Sequence, residues 1–488
     1  MSKANKARAG AARNPAIDKG IYLGAPDGIE GARLRYKEDK HVLAFGPTGS
    51  GKSTALAVPN LATLRRSMLV MDPKCQLTSI TGRLRETMGP VIPVDPYDLL
   101  EEKAPHLGLK SAGWNPLMQL DRKSPNFASQ ARAIAQAVTD RGEGGGNHDF
   151  FDASAENIFT GFCMRERVKH GDKASLRNVR EDLAEGALEN GVKEMAQSNN
   201  YAMRIIGKRL QNRLTNKNAQ STSVEDVIDT ILKNTSFLDD DRIGADMRRG
   251  GAIDFAALHR EITTIYVILP VGQLEKQAKW LRLFVNLALE ALFEEAPPVA
   301  LLPRVLFLLD EFGNLGRLPK ILNALQIARD YRVQLFCLLQ NLQQLKTHYP
   351  NEWSYFFSAA GAKTSFAAGD METAEYFSKM FGKQQVEMWS QNDGQSHGQN
   401  QPIGFEGGNP NAPHPPLQTI SGSNGRSSGR SVSTQIFDLM PPEDMLRLGR
   451  GGTVNIIEPC KMPVRGFAPH YRHFDMAKDL DPNPYYLG

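Results

Sequence analysis

The stretch HVLAFGPTGSGKST, residues 41–54, decides the fold class of this chain. Its first five residues are suited to a buried strand, and the next eight have the spacing G-x-x-x-x-G-K-S. Glycines at this spacing let successive backbone N–H groups turn inward around phosphate oxygens, and the helix that follows adds its positive end. The order of strand, loop and helix predicts a P-loop nucleotide-binding site.

The residue types of the loop predict how a nucleotide is held. Lys52 is expected to reach the β- and γ-phosphates, and the Ser53 hydroxyl is expected to ligate Mg²⁺, because a hard cation prefers oxygen ligands. ATP and Mg²⁺ are therefore the predicted cofactors. The predicted nucleotide-binding residues are Gly46, Pro47, Thr48, Gly49, Ser50, Gly51, Lys52, Ser53 and Thr54.

A second motif lies far downstream, where the apolar run Val305–Leu309 ends on Asp310 and Glu311. Alone, such a run indicates only a strand that ends in a solvated turn. With a P-loop upstream, Asp310 is expected to hold the magnesium through water, and Glu311 is expected to polarise the attacking water as a general base. The pair predicts ATP hydrolysis, with Ser53 and Asp310 as the metal-site residues.

Three more polar residues are candidates for the reaction. Gln340 ends the apolar run Val333–Leu339, where its amide could sense the γ-phosphate or orient the water, or could simply close a turn. Arg329 and Arg332 precede that run, and either could act on a neighbouring subunit's nucleotide as an arginine finger. Each could instead only complement a helix dipole.

Short apolar runs that alternate with helical patterns predict an α/β fold with a mostly parallel sheet covered on both faces. From about residue 126 to residue 238 the strand signals stop, which predicts an all-helical insertion. After the first helix, Asp72-Pro73-Lys74 ends a predicted strand, either close to the nucleotide or as a cap for the turn. The predicted strands are His41–Phe45, Ser67–Met71, Val91–Val94, Ile262–Leu269, Val305–Leu309, Val333–Leu339, Ala362–Ala367 and, at the sheet edge, Thr453–Ile457.

At 488 residues the chain exceeds what one hydrophobic core usually organises. We predict a basic N-terminal arm and lead-in over residues 1–40 and a first part of the nucleotide-binding domain over 41–125. An all-alpha insertion is predicted over 126–245, and the second part of the nucleotide-binding domain over 246–389. Residues 390–433, rich in Gly, Ser, Asn and Gln, predict a flexible linker or loop, before a return to the nucleotide-binding domain over 434–488.

Composition narrows the class of protein further. A hydrophobic fraction of 41% and a charged fraction of 23% are typical of a folded globular chain. The four cysteines are far apart and predict neither a zinc site nor a disulfide framework. No apolar run reaches the roughly 18 residues that a membrane span needs. These features predict a cytoplasmic protein, and the net charge of +4 permits contact with a polyanion without demanding it.

The motifs together resemble the type IV secretion coupling proteins, the conjugative DNA-transfer ATPases of the TraG/TraD-like family. Cys75-Gln76 is a departure, because the family commonly has a glycine and an acidic residue there. The motifs that carry the resemblance are His41–Lys52, Val58-Pro59-Asn60-Leu61, Met71-Asp72-Pro73-Lys74, Trp114-Asn115-Pro116-Leu117, Leu309–Gly316, Gln344-Leu345 and Asp370–Ala374.

The resemblance implies a RecA-like motor domain with an inserted all-alpha domain. It also implies a ring-shaped homo-hexamer with ATP sites at subunit boundaries, where Arg329 acts in trans. The implied partners are relaxase-bound DNA, expected to be single-stranded, and the components of a secretion channel. The implied location is peripheral at the inner membrane. Family members usually carry an N-terminal membrane anchor, so a separate anchored partner is a further expectation.

The first hypothesis is a coupling ATPase that recruits relaxase-bound DNA or protein substrates and drives their transfer toward the channel. An alternative is a receptor for protein effectors with little motor activity. A third is an FtsK/HerA-like DNA translocase outside conjugation, against which Trp114–Leu117 and Asp370–Ala374 count. A scaffold without hydrolysis is the weakest, because Lys52, Ser53, Asp310 and Glu311 are all present.

Overall fold

The computed structural model describes residues 20–139, 147–215, 222–294, 304–397, 424–458 and 463–485. The strands are β1 (Ile21–Pro26), β2 (Leu34–Tyr36), β3 (His41–Phe45), β4 (Met68–Met71), β5 (Val91–Val94), β6 (Thr264–Val267), β7 (Val305–Leu309), β8 (Val333–Leu339), β9 (Ala360–Ser365), β10 (Lys383–His397), β11 (Asn424–Asp438), β12 (Gly452–Ile457) and β13 (Val464–Phe467).

The helices are α1 (Val58–Thr63), α2 (Gln76–Glu86), α3 (Leu99–Lys103), α4 (Phe127–Val138), α5 (Asn147–His170), α6 (Leu176–Ala184), α7 (Leu188–Ala196), α8 (Tyr201–Thr215), α9 (Thr222–Asn234), α10 (Asp241–Arg249), α11 (Ala257–Arg260), α12 (Ala278–Glu294), α13 (Pro319–Ile327), α14 (Leu342–His348), α15 (Trp353–Ala359), α16 (Met371–Phe381) and α17 (Pro442–Leu446).

Within the described residues, eleven strands form one sheet in the order β2-β1-β13-β12-β9-β3-β8-β7-β4-β6-β5. The seven strands from β9 to β5 are parallel to one another. The other four strands, from β2 to β12, pair antiparallel with each other, and β12 pairs antiparallel with β9. The predicted α/β fold with a mostly parallel sheet is therefore confirmed.

The central parallel strands are buried on both faces, which explains why most of their residues are apolar. One core cluster joins strand residues such as Val42, Leu308 and Phe336 to Leu56 and Leu61, which follow the P-loop. Burying each such side chain contributes about 1.5–3 kcal/mol relative to exposure. This packing holds the carboxyl ends of β3, β8, β7 and β4 side by side. We call the side of the sheet formed by these strand ends the carboxyl edge, and the side formed by the opposite strand ends the amino edge.

Between β5 and β6, the regular secondary structure of the described residues is all helical and includes α3 to α11. Helix α12, which follows β6, packs against this region through Trp280 and Phe284. The ring centroid of Trp114 lies 5.7 Å from that of Trp280 and 4.7 Å from that of Phe284. Helix α12 therefore packs on the helical region, and both fall in one compact unit made of Met1–Phe377 and Pro442–Gly488.

The second compact unit is Ser378–Pro441, and its described part is a two-stranded antiparallel hairpin. Fifteen residue pairs run from Lys383↔Asp438 to His397↔Asn424. The structure differs here from the predicted flexible linker over 390–433, because residues 390–397 and 424–433 lie in β10 and β11. The prediction was based on the polar side chains of this segment. An antiparallel ladder pairs backbone groups with each other, and it needs little apolar burial to do so. Residues 398–423 lie outside the described residues.

The antiparallel end of the sheet was also missed. Strand β12 is not at the sheet edge as predicted, because it pairs with β9 on one side and β13 on the other. Strands β1 and β2 form from residues assigned to the N-terminal arm, whose residues 1–19 lie outside the described part. These strands are short, and β1 pairs with β13 more than 400 residues away in sequence. Sequence patterns report local periodicity and do not reveal such pairing.

Among the described residues, no helix is both long enough and apolar enough to cross a lipid bilayer.

Candidate functional site

The loop between β3 and the following helical turn has the backbone geometry that its glycines predict. Gly49 and Gly51 have φ values of 81° and 98°, in the left-handed region that favours glycine. A Cβ added at Gly49 would have no atom within 4 Å, so conformation rather than space requires glycine there. A π-helical turn over Lys52–Ala57 and then α1 continue the chain, as the motif requires.

Lys52 lies almost wholly within this loop, with 5% of its surface exposed. Its Nζ donates hydrogen bonds to the carbonyl oxygens of Gly46 and, at 3.1 Å, of Pro47. Burial lowers the pKa of Lys52, while the carboxylates of Asp310 and Glu311 act in the opposite direction. The charged form of this buried ammonium group is therefore stabilised by nearby negative charge.

Ser53 and Asp310 meet although 257 residues separate them. The Ser53 Oγ donates a hydrogen bond of 2.8 Å to Asp310 Oδ2. Strand β7 makes this possible, because all five of its residues are buried and it ends immediately before Asp310. Burial raises the pKa of Asp310 to about 6, and the neighbouring charge of Glu311 adds to that effect.

These oxygens fit a small hard cation. In the described parts of the chain no cluster of three His, Cys, Asp or Glu residues could hold a metal by itself. A magnesium ion here would accordingly take Ser53 and Asp310 together with phosphate and water oxygens, which is how magnesium commonly binds beside nucleotides. The buried Ser50 Oγ has no hydrogen-bond partner among the described residues, so the loop also holds a polar atom suited to a phosphate oxygen.

Glu311 and Gln340 form a second contact at the same edge of the sheet. Strands β7 and β8 are neighbours, with Leu309 paired to Cys337, so residues just beyond both strands lie side by side. The Gln340 Nε2 donates a hydrogen bond of 2.9 Å to Glu311 Oε2. Glu311 has a φ of 54°, which is strained for a residue with a side chain and is commonest at functional sites.

The sequence analysis assigned no role to Gln344, which positions Gln340. Its Oε1 accepts a hydrogen bond of 2.9 Å from the backbone N–H of Gln340, and its own N–H donates to Asn341 Oδ1 at 3.1 Å. Asn341 is the N-cap of α14. An Asn followed three residues later by Gln has the spacing of a capping box, but the Gln344 side chain accepts from Gln340, the residue before the N-cap, and not from the N-cap itself.

Arg329 lies apart from the site residues at the carboxyl edge. It precedes β8, whereas Gln340 follows β8, and seven strand residues at roughly 3.3 Å each separate the two ends by ~23 Å. Its Nε donates a hydrogen bond of 2.7 Å to Asp39 Oδ2, and 58% of its side chain is exposed. The backbone N–H of Arg332 bonds to the Arg329 carbonyl oxygen in the turn before β8.

Asp72 acts as a helix cap. It is buried and accepts hydrogen bonds from the backbone N–H groups of Gln76 and Thr78 at 3.0 and 2.7 Å, and from the Thr78 hydroxyl at 2.7 Å. Burial raises its pKa, and these bonds act against that effect. All three partners lie in the first turn of α2, so the capping interpretation of Asp72 is confirmed.

Comparison with known proteins places this geometry in context. Residues 2–471 match the sequence model of a family described as type IV secretory system conjugative DNA transfer. Protein VirD4 of Rhizobium radiobacter is 27% identical over 361 residues, which are 72% of this chain and 49% of VirD4. Conjugal transfer protein TraG of Escherichia coli is 23% identical over 394 residues, which are 76% of this chain and 60% of TraG. The chain spans about half to three fifths of these relatives.

Solved structures agree on the fold. The bacterial conjugative coupling protein TrwBdeltaN70 superposes with a TM-score of 0.60 at 14% identity, covering 98% of this chain and 94% of that one. Plasmid coupling protein TrwB in complex with ADP and Mg²⁺ gives a TM-score of 0.59 at 14% identity, covering 89% and 86%. At this identity the likeness shows the fold alone, and it confirms the predicted RecA-like P-loop architecture.

Proposed function

The chain belongs to the type IV secretory system conjugative DNA transfer family, and from that premise we propose that it is a coupling ATPase of such a system. It recruits relaxase-bound DNA or protein substrates and uses ATP hydrolysis to drive their transfer toward the secretion channel. The observation that carries the proposal is the meeting of Ser53 with Asp310, and of Glu311 with Gln340, at the carboxyl edge of one sheet.

ATP and Mg²⁺ are the proposed cofactors, and the residues present fit both. Backbone N–H groups within residues 48–54 and the Lys52 ammonium would hold the phosphates, and Ser53 and Asp310 would hold the metal. Bound Mg·ATP supplies the phosphoanhydride bond whose hydrolysis releases the free energy for movement. Two structures of plasmid coupling protein TrwB, one in complex with ADP and Mg²⁺ and one with a non-hydrolysable ATP analogue, support this assignment.

Glu311 is proposed as the general base. Its carboxylate accepts a proton from water, and the Gln340 amide at 2.9 Å fixes the direction of that carboxylate. Because an amide does not titrate near neutral pH, Gln340 can orient Glu311 without competing for the proton. Gln340 is free to exchange this bond for one to the water itself, as the sequence analysis expected.

Arg329 is proposed to act on the nucleotide of a neighbouring copy. At ~23 Å from its own carboxyl edge, by the length of β8, its side chain cannot reach the nucleotide site of its own chain. A role in hydrolysis therefore requires an assembly in which the amino edge of one copy faces the carboxyl edge of the next. A ring of six copies, as the family resemblance implies, is the assembly that we propose.

The remaining proposals concern location and partners. The chain is proposed to work at the cytoplasmic side of the inner membrane, with channel components and a membrane-anchored partner. The DNA is proposed to be single-stranded. The match of residues 2–471 to a conjugative DNA transfer family favours this setting over that of an FtsK/HerA-like translocase.

The test is ATP turnover by the whole chain with and without single-stranded DNA, beside Lys52→Ala and Glu311→Gln. DNA should stimulate wild-type turnover. Glu311→Gln should lower kcat by about 10²-fold or more, the usual contribution of a general base, while ADP affinity stays unchanged. Glu185→Gln, an exposed carboxylate on the helical insertion, is the matched control and should behave as wild type.

Two outcomes would contradict the proposal in different ways. Turnover that survives Lys52→Ala would show that the P-loop is not the hydrolytic site. Turnover that is lost in both variants but does not respond to DNA would instead support a receptor for protein substrates.

A further inference from the structure

The turn after β4 lies beside the metal-site residues. Met71 pairs with Leu309 in the parallel ladder of β4 and β7, so the next residues, Asp72 and Asp310, are neighbours at the carboxyl edge. The turn is tightly closed: the Cys75 N–H bonds to the Asp72 carbonyl oxygen at 3.2 Å, and Cys75 has a φ of 52°. Pro73 further restricts its backbone. Lys74 therefore stands on a rigid support next to Asp310.

The described contacts show no structural role for the Lys74 side chain. Within the described ranges no carboxylate or carbonyl oxygen pairs with its ammonium group. The P-loop reaches the same edge of the sheet, because the Ser53 Oγ, one residue after Lys52, donates a hydrogen bond of 2.8 Å to Asp310 Oδ2. Lys52 and Lys74 therefore both lie at the edge that carries Asp310 and Glu311.

A separate segment of the chain holds this turn in place. The Tyr485 hydroxyl donates a hydrogen bond of 2.8 Å to the carbonyl oxygen of Lys74. Lys103 Nζ lies 5.3 Å from the centroid of the Tyr485 ring. Nearby, the Asp481 N–H bonds to the Ile80 carbonyl oxygen at 3.1 Å, which anchors the segment on α2.

We propose that Lys74 is a second phosphate-binding residue of the nucleotide site, and that Tyr485 positions it through the Lys74 carbonyl. The inference rests on the proposed function, because its ligand is the phosphate chain of Mg·ATP. A polyphosphate is an anion, so two cations at one edge of the sheet can bind it together. A lysine is suited to this task, since its ammonium binds phosphate as a point charge from any direction.

The first test compares Lys74→Gln with Lys74→Arg by calorimetric titration of the whole chain with Mg·ADP, with a Mg-bound non-hydrolysable ATP analogue and with AMP. Lys74→Gln should weaken the triphosphate analogue about tenfold, as expected for loss of a charge-assisted hydrogen bond. AMP should be unaffected, because it lacks the outer phosphates. Lys74→Arg should restore most of the affinity, and Lys173→Gln, on the helical insertion, is the charge-matched control.

The second test asks whether Tyr485 acts through Lys74. Tyr485→Phe keeps the ring over Lys103 and removes only the hydroxyl, so it should weaken the triphosphate analogue about threefold, a typical loss for one neutral hydrogen bond. In a Lys74→Gln background the same change should have no further effect, because the group that it positions is gone. A purely structural Tyr485 would give the same loss in both backgrounds.

The outcomes separate this inference from the proposed function. Unchanged affinity in Lys74→Gln, beside lost binding in Lys52→Ala, would overturn the role of Lys74 and leave the nucleotide site standing. Binding that survives Lys52→Ala would overturn the nucleotide site itself. Additive losses for Tyr485→Phe and Lys74→Gln would remove the positioning role of Tyr485 alone.

Discussion

The two edges of the central sheet carry similar residue types under opposite conditions. At the carboxyl edge, Asp310 is 6% exposed and pairs with Ser53. At the amino edge, Asp39 pairs with the exposed Arg329, and Arg304 lies 3.5 Å from the same Oδ2. At the carboxyl edge, Asp310 and Glu311 both have side-chain partners within their own chain. The amino edge offers a cation to its surroundings, which suits a group that acts on another molecule.

The largest effect expected from this difference is on catalysis by Arg329. Arg329→Ala should lower kcat by about 10³-fold, the lower end for loss of an arginine finger, without changing ADP affinity. If the finger acts in trans, mixing Arg329→Ala with Glu311→Gln chains should recover turnover. In such a mixture, intact Arg329 of one chain meets an intact Glu311 of the other.

The same experiment decides between the two arginines that the sequence left open. Arg332→Ala serves as the comparison, since it removes a charge from the same turn. If the larger loss follows Arg332→Ala, or if the mixture stays inactive, the assignment of Arg329 as a finger in trans is wrong.

A smaller effect, on stability, is expected at the carboxyl edge. The pKa of Asp310 is about 6 in the folded chain, whereas that of an unperturbed aspartate is 3.8. Burial therefore destabilises its ionised form at neutral pH. Asp310→Asn keeps an acceptor for Ser53 and removes that penalty. At pH 7.5 it should raise the free energy of unfolding, without nucleotide, by up to ~3 kcal/mol at 1.36 kcal/mol per pKa unit.

The direction with pH follows from the raised pKa. Between pH 6 and 4 the folded chain binds the Asp310 proton more tightly than the unfolded chain, so wild-type stability gains as the pH falls through this range. The advantage of Asp310→Asn should therefore shrink toward pH 4, as measured by urea unfolding. An Asn variant that is less stable than wild type at both pH values would contradict this account.

The smallest effect is expected at the amino edge. Asp39→Asn should lower the free energy of unfolding by only ~0.5 kcal/mol, because an exposed ion pair is solvated and screened. The loss should fade in high salt. Asp226→Asn, at an exposed position of α9, controls for the change of net charge. A salt-independent loss of several kcal/mol would show that the amino edge is built as tightly as the carboxyl edge.

Much of the fold could be predicted from the sequence because the patterns that indicate it are local. Strands β3, β5, β7 and β8 have the predicted bounds, since each is a mainly apolar run that is followed by a glycine or a polar residue. The hairpin β10–β11 was predicted as a linker because its residues are polar, although backbone pairing does not depend on polarity. Strand β13, of only four residues, offered too short a pattern.

By itself the sequence determined the phosphate-binding loop, the Asp310-Glu311 strand end, the mostly parallel sheet and the family. These are set by spacing within short segments, and local backbone geometry follows from local residue types. Only the tertiary structure decided that Ser53 reaches Asp310, that Arg329 lies at the opposite edge, and that Tyr485 returns to the turn of Lys74. Such contacts join residues up to 411 positions apart. They arise because the parallel sheet gathers strand ends at a common edge, which no periodicity along the chain records.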